Sequence, residues 1–85
     1  MKLKILYFAS IREKVGRDAE EIDIPAGVAT LAGLRGHLQA RGGAWADALA
    51  DGKLLRMAVN QDMAKNTAPI KAGDEVAFFP PVTGG

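Results

Sequence analysis

Between Lys2 and Phe8 the chain alternates, with Leu3, Ile5 and Tyr7 on one side and Lys2 and Lys4 on the other. That period of two predicts a strand with a core face. Its other face turns apolar further on, at Leu6 and Phe8. Ser10 to Val15 can form one or two helical turns, with Ser10 as N-cap and Glu13 at the spacing of a capping box. Glu20 to Ile24 predicts a second strand, with Ile22 and Ile24 on one face and Pro25 ending it. Thr30 is suited to cap a helix reaching about Arg41, with Leu31, Leu34 and Leu38 as its buried stripe. Gly33 and Gly36 weaken that helix by about 1 kcal/mol each relative to Ala, and Gly42-Gly43 stops it. Trp45 and Leu49 anchor a second short helix ended by Gly52. Leu54 to Asn60 predicts a third strand, with Leu55, Met57 and Val59 inward. Lys65 to Ile70 reads as an extended edge piece interrupted by Pro69. Glu75 to Phe79 is the last strand, with Val76 and Phe78 inward and Ala77 and Phe79 outward.

Two strands, a helix and then further strands make an α+β layer arrangement. If the first and last strands lie side by side, the fold is the ubiquitin-like β-grasp: a mixed sheet with a helix across one face. Residues 1–79 would form that domain. Residues 80–85 would form an extended C-terminal tail.

Composition narrows the function. The 85 residues carry 11 basic and 10 acidic side chains, for a net charge of +1. This does not supply the concentrated basic face of a nucleic-acid module. Cysteine is absent, which excludes a thiolate nucleophile, a disulfide framework and a cysteine-based metal site. His37 is the sole histidine, so a histidine-rich metal site is also excluded, and no metal ligands are expected. The apolar run Ile5 to Ala9 is too short for a signal-peptide core, and nothing approaches a transmembrane span. The expected location is the cytoplasm. The carboxylates are scattered and read as solvated surface. No catalytic side chain is expected on this chain.

The end of the chain reads differently. Phe79 is followed by Pro80-Pro81-Val82-Thr83-Gly84-Gly85. The two prolines forbid continuation of a central strand and hold the next residues extended. Six residues at about 3.3 Å each can project roughly 20 Å. Glycines without a Cβ let the terminal carboxylate thread a channel too narrow for any other residue. A carboxylate is unreactive as it stands, but adenylation with ATP gives it a good leaving group. A sulfur nucleophile can then displace AMP, leaving a C-terminal thiocarboxylate; alternatively, a lysine amine attacks and the chain becomes a protein tag. If the first and last strands pair, Leu6, Phe8 and Phe79 form an apolar patch at the root of this tail. Such patches mark binding surfaces.

The tail from Gly73 to Gly85 resembles that of the molybdopterin synthase small subunits, a family of sulfur carriers. So do Ile5-Leu6-Tyr7-Phe8-Ala9 with Arg12-Glu13, and Asp51-Gly52-Lys53-Leu54-Leu55 leading to Ala58-Val59-Asn60-Gln61. The resemblance implies a β-grasp fold and adenylation of Gly85 by an ATP- and zinc-using activating enzyme. A sulfur donor such as a cysteine desulfurase would supply the thiocarboxylate sulfur. The tail, Pro80-Pro81-Val82-Thr83 with Gly84 and Gly85, would then enter the large synthase subunit and give sulfur to cyclic pyranopterin monophosphate. The implied assembly is a heterotetramer, with Phe8, Met63 and Phe79 meeting partners. Met63 stands where leucine is commoner, and Ala26–Gly43 matches least. A sulfur carrier for thiamine or tRNA thiolation shares the tail chemistry. A non-covalent β-grasp module is the alternative of a different class.

Overall fold

The computed structural model describes residues 1–81. The expectations that rest on Val82, Thr83, Gly84 and Gly85 lie outside the described residues. The chain runs β1 (Lys2–Tyr7), α1 (Ala9–Val15), β2 (Ala19–Asp23), α2 (Leu31–Gln39), α3 (Gly43–Ala48), β3 (Arg56–Val59), β4 (Asp62–Ala64) and β5 (Glu75–Phe79). One mixed sheet takes the order β2-β1-β5-β3-β4. β1 and β5 pair in parallel at its centre, and the remaining neighbours are antiparallel. The adjacency of first and last strands, which periodicity could only pose as a condition, is present.

The core lies between one sheet face and the helices. Leu3, Ile5, Tyr7, Val76, Phe78 and Met57 are buried from the sheet, and Leu31, Leu34 and Leu38 from α2. Thr30 caps α2 as expected, its Oγ1 accepting from the Gly33 amide at 3.2 Å. His37 is half-buried near the end of this helix.

Two local expectations are corrected. Ser10 is not an N-cap. Phe8 is still extended (φ −123°, ψ 154°), and its carbonyl accepts from Ile11 and Arg12, so the helix starts earlier. Ser10 therefore sits inside the first turn, and no side chain caps the helix. The edge strand is not Lys65–Ile70 but Asp62–Ala64. The later segment forms no strand; it makes an isolated bridge between Thr30 and Pro69, and its Ala68 and Asn66 carbonyls accept from the Leu31 and Ala32 amides at the start of α2. The β3–β4 hairpin turns through Asn60 and Gln61, both left-handed at φ 50° and 73°. Positive φ at both central residues is the requirement of a two-residue type I′ turn.

Candidate functional site

Strand alternation gives the central strand β5 two different faces. Val76 and Phe78 point into the core; Ala77 and Phe79 point out. The register then decides what surrounds the outward pair. Leu6 lies opposite Ala77, Ala77 opposite Ala58, and Ala58 opposite Met63. These four residues form one apolar row across β1, β5, β3 and β4. Toward the tail, Phe79 is flanked by Arg56 on β3 and by Phe8 on the other side. Phe8 extends the parallel pairing beyond β1, since its amide donates to the Phe78 carbonyl at 3.1 Å. Away from the tail the face becomes charged, with Lys4 set between Glu21 and Glu75. The outer face is therefore graded from ionic, through aliphatic, to aromatic at the tail's root.

Most of this apolar surface meets solvent. Phe8 is 44% exposed and Met63 58%. Leu6, Ala77 and Phe79 are half-buried. Ala58 is buried, yet it stands outside the core cluster, as expected of a methyl group between the neighbours of its row. The helix α1 leaves Phe8 uncovered. Pro80 and Pro81 follow Phe79 and are half-buried.

The residues beneath this face hold its register. Tyr7, between Leu6 and Phe8 in sequence, points inward and stacks on Phe78 with ring centroids 6.4 Å apart. Its hydroxyl donates to Glu20 Oε2 at 2.8 Å and accepts from Trp45 Nε1 at 3.0 Å. Arg41 donates to the same carboxylate oxygen at 2.9 Å, and its guanidinium lies 4.9 Å from the Trp45 ring centroid. Burial pushes the Tyr7 hydroxyl well above the ordinary tyrosine range, against the hydrogen bond from Trp45. Burial also pushes the Glu20 carboxyl up, but hydrogen bonds from Arg41 and Tyr7, with the charges of Arg41 and Arg17, outweigh it and hold Glu20 below its ordinary value. Tyr7 is therefore a neutral peg beneath the strand, and Glu20 an ionised anchor.

A second network fixes the start of β5. Asp74 is buried, and its carboxylate accepts from Asn60 Nδ2 at 3.0 Å and from the Lys71 amide at 2.9 Å. Asn60 Oδ1 accepts in turn from the Glu75 amide at 3.0 Å. The β3–β4 turn and the entry to β5 are thus tied together.

Among the described residues no cluster of three or more His, Cys, Asp or Glu could hold a metal ion. No described helix is long and apolar enough to cross a membrane. Of the residues proposed from sequence, Phe8, Met63 and Phe79 share one sheet face, and Phe8 and Phe79 touch. Met63 lies across β3, one row further from the tail. Ala58 and Arg56 were missed, although alternation outward from Met57 carries the signal for both.

Residues 5–85 match the model of the ThiS family. The chain is 53% identical over 85 residues to the molybdopterin synthase sulfur carrier subunit of Escherichia coli (strain K12), covering 98% of this chain and 99% of that one. It is 48% identical over 83 residues to the protein of that name from Haemophilus influenzae, with the same coverage. Among solved structures it resembles a putative molybdopterin converting factor subunit 1 from Pyrococcus furiosus. There the TM-score is 0.78 and the identity 28%, over 96% of this chain and 99% of that one. It also resembles a chain in the Helicobacter pylori complex of subunits 1 and 2 of molybdopterin-converting factor. There the TM-score is 0.66 and the identity 25%, over the full length of both chains.

Proposed function

The chain belongs to the ThiS family, among the molybdopterin synthase sulfur carrier subunits, and from that premise we propose that it carries sulfur on its own C-terminus. The observation that supports this most is the graded outer face, whose aromatic end is Phe8 against Phe79 immediately before Pro80-Pro81. An apolar patch at the root of a diglycine tail can seat a partner while the terminal carboxylate reaches that partner's active site.

The chemistry follows from a main-chain carboxylate. The Gly85 carboxylate attacks ATP on an adenylating enzyme, releasing pyrophosphate and forming an acyl-adenylate. A sulfide nucleophile, released by a reducing thiol from the persulfide of a donor such as a cysteine desulfurase, displaces AMP. The thiocarboxylate is then presented to the large subunit of molybdopterin synthase, where its sulfur passes to cyclic pyranopterin monophosphate. Hydrolysis of the spent acyl group restores the carboxylate. Gly84 keeps the path to the reacting atom free of a side chain. The side chains of this subunit dock, and the partners supply the catalytic groups. Two copies, one on each large subunit of a dimer, would give a heterotetramer, and the cycle is placed in the cytoplasm.

Reconstitution tests this reading. The thiocarboxylated chain, mixed with large subunit and cyclic pyranopterin monophosphate, should yield the dithiolene product with consumption of the thiocarboxylate. No product there, alongside sulfur delivery to a thiazole-forming or tRNA-thiolating system, would assign the chain to another pathway.

A further inference from the structure

Away from the outer sheet face, one large aliphatic side chain stands almost wholly in solvent: Leu54, 81% exposed. The segment leading to it is clamped. From α2, Arg35 Nε donates to the Leu49 carbonyl at 2.8 Å, and Arg35 Nη2 donates to the carbonyls of Ala50 and Lys53, the latter at 3.0 Å. Gln39 Nε2 donates to the Leu49 carbonyl and to Asp51 Oδ1. A single guanidinium thus holds three carbonyls between residues 49 and 53. Leu54 is displayed by a fixed loop.

Leu54 and Leu55 edge a groove of about 160 Å³, walled by Ser10, Ile11, Lys14 and Pro80. Pro80 places this groove at the root of the tail. Phe8 and Phe79 flank the same root on the sheet's outer face. The groove is also basic. Lys53 lines it and has no ion pair among the described residues. Lys14 lines it too, and meets only Asp47, at 3.7 Å across solvent, which is a weak surface pair.

We propose that this groove is a second docking point for the large subunit, receiving an aliphatic side chain flanked by carboxylates. The proposal rests on the sulfur-carrier reading and deepens it. A second copy of this chain fits poorly, because a two-fold contact here would set Lys14 and Lys53 against their own equivalents. A lasting subunit pair buries more surface than a passing encounter. Contact on both sides of the tail therefore suits the large subunit better than the adenylating enzyme.

Calorimetric titration of Leu54→Asp, Lys53→Glu and Phe79→Ala against each of the two enzymes tests this. Leu54→Asp should weaken large-subunit binding by about ten-fold or more, the scale of a buried interface contact. Lys53→Glu should weaken it several-fold, and both variants should keep the parent thermal midpoint because the changed side chains are exposed. Binding to the adenylating enzyme should change by no more than about two-fold. Large-subunit binding by Leu54→Asp at the parent affinity would overturn the proposal. So would an equal loss toward the adenylating enzyme, or a dimer of the free chain that Leu54→Asp dissolves in light scattering. If Phe79→Ala alone weakens binding, only the second docking point falls; if no variant does, the sulfur-carrier docking face falls with it.

Discussion

The rings of Phe8 and Phe79 meet edge to face, 6.3 Å between centroids and 86° between planes, on the side of the sheet opposite the core. One residue earlier on each strand, Tyr7 and Phe78 stack on the core side. The parallel pairing of β1 with β5, continued by Phe8, thus produces two aromatic pairs from two adjacent positions on each segment, one holding the fold and one facing solvent. The energetic roles of Phe78 and Phe79 should separate accordingly.

Phe78→Ala should cost about 3–5 kcal/mol of stability, because Phe78 is fully buried. Phe79→Ala should cost the isolated domain much less. It should weaken binding to the large subunit by about ten-fold or more, since burying a Phe on association contributes about 1.5–3 kcal/mol. Chemical denaturation and calorimetric titration of the two variants read these effects separately. Unfolding by Phe79→Ala with Phe78→Ala intact would mean that the strand faces are reversed.

The β3–β4 turn offers a test of local backbone strain. Gln61 holds φ 73°, where an L-residue with a Cβ is disfavoured by about 1–2 kcal/mol. Glycine removes that cost but adds unfolded-state entropy of about 0.4–1 kcal/mol. Gln61→Gly should therefore raise stability by roughly 0.5–1 kcal/mol, in keeping with the Asn-Gly preference of type I′ turns. A rightward shift of the denaturation midpoint with unchanged slope is the expected result.

Glu20 should make stability sensitive to acid. Its carboxyl is held below the ordinary value in the folded chain, where burial is outweighed by Arg41, Tyr7 and Arg17. The folded state therefore binds its proton less readily than the unfolded state does. The resulting stabilisation is complete above the unfolded value and is lost as pH falls through the lowered folded value. The thermal midpoint should drop on acidification past the ordinary carboxylate range. Glu20→Gln should lower the midpoint at neutral pH and flatten that acid slope.

Much of this could be read from the chain. Alternation in Lys2–Phe8 and Glu75–Phe79 located the central strands and assigned Phe8 and Phe79 outward, because period-two burial leaves a direct trace. Thr30 with Leu31, Leu34 and Leu38 located α2 for the corresponding helical reason. β4 was missed because the turn signal is Asn60-Gln61, without the glycine that usually marks a type I′ turn. Ser10 misled because its spacing to Glu13 satisfies a capping box, while the pairing of Phe8 with Phe78 pulls the helix start forward. Register is a tertiary property. No local pattern could place Met63 beside Ala58, or bring Arg35 onto the carbonyls that display Leu54.

In the proposed cycle the reacting atom belongs to the terminal carboxylate of Gly85. Intact-mass spectrometry after incubation with the adenylating enzyme, ATP and a sulfur donor decides whether it does. The wild-type chain should gain the mass of one sulfur-for-oxygen exchange. A chain lacking Gly85, or extended by one residue beyond it, should gain nothing while keeping its fold. The same mass gain on an extended, uncleaved chain, or none on the wild type under conditions that charge a known sulfur carrier, would contradict it.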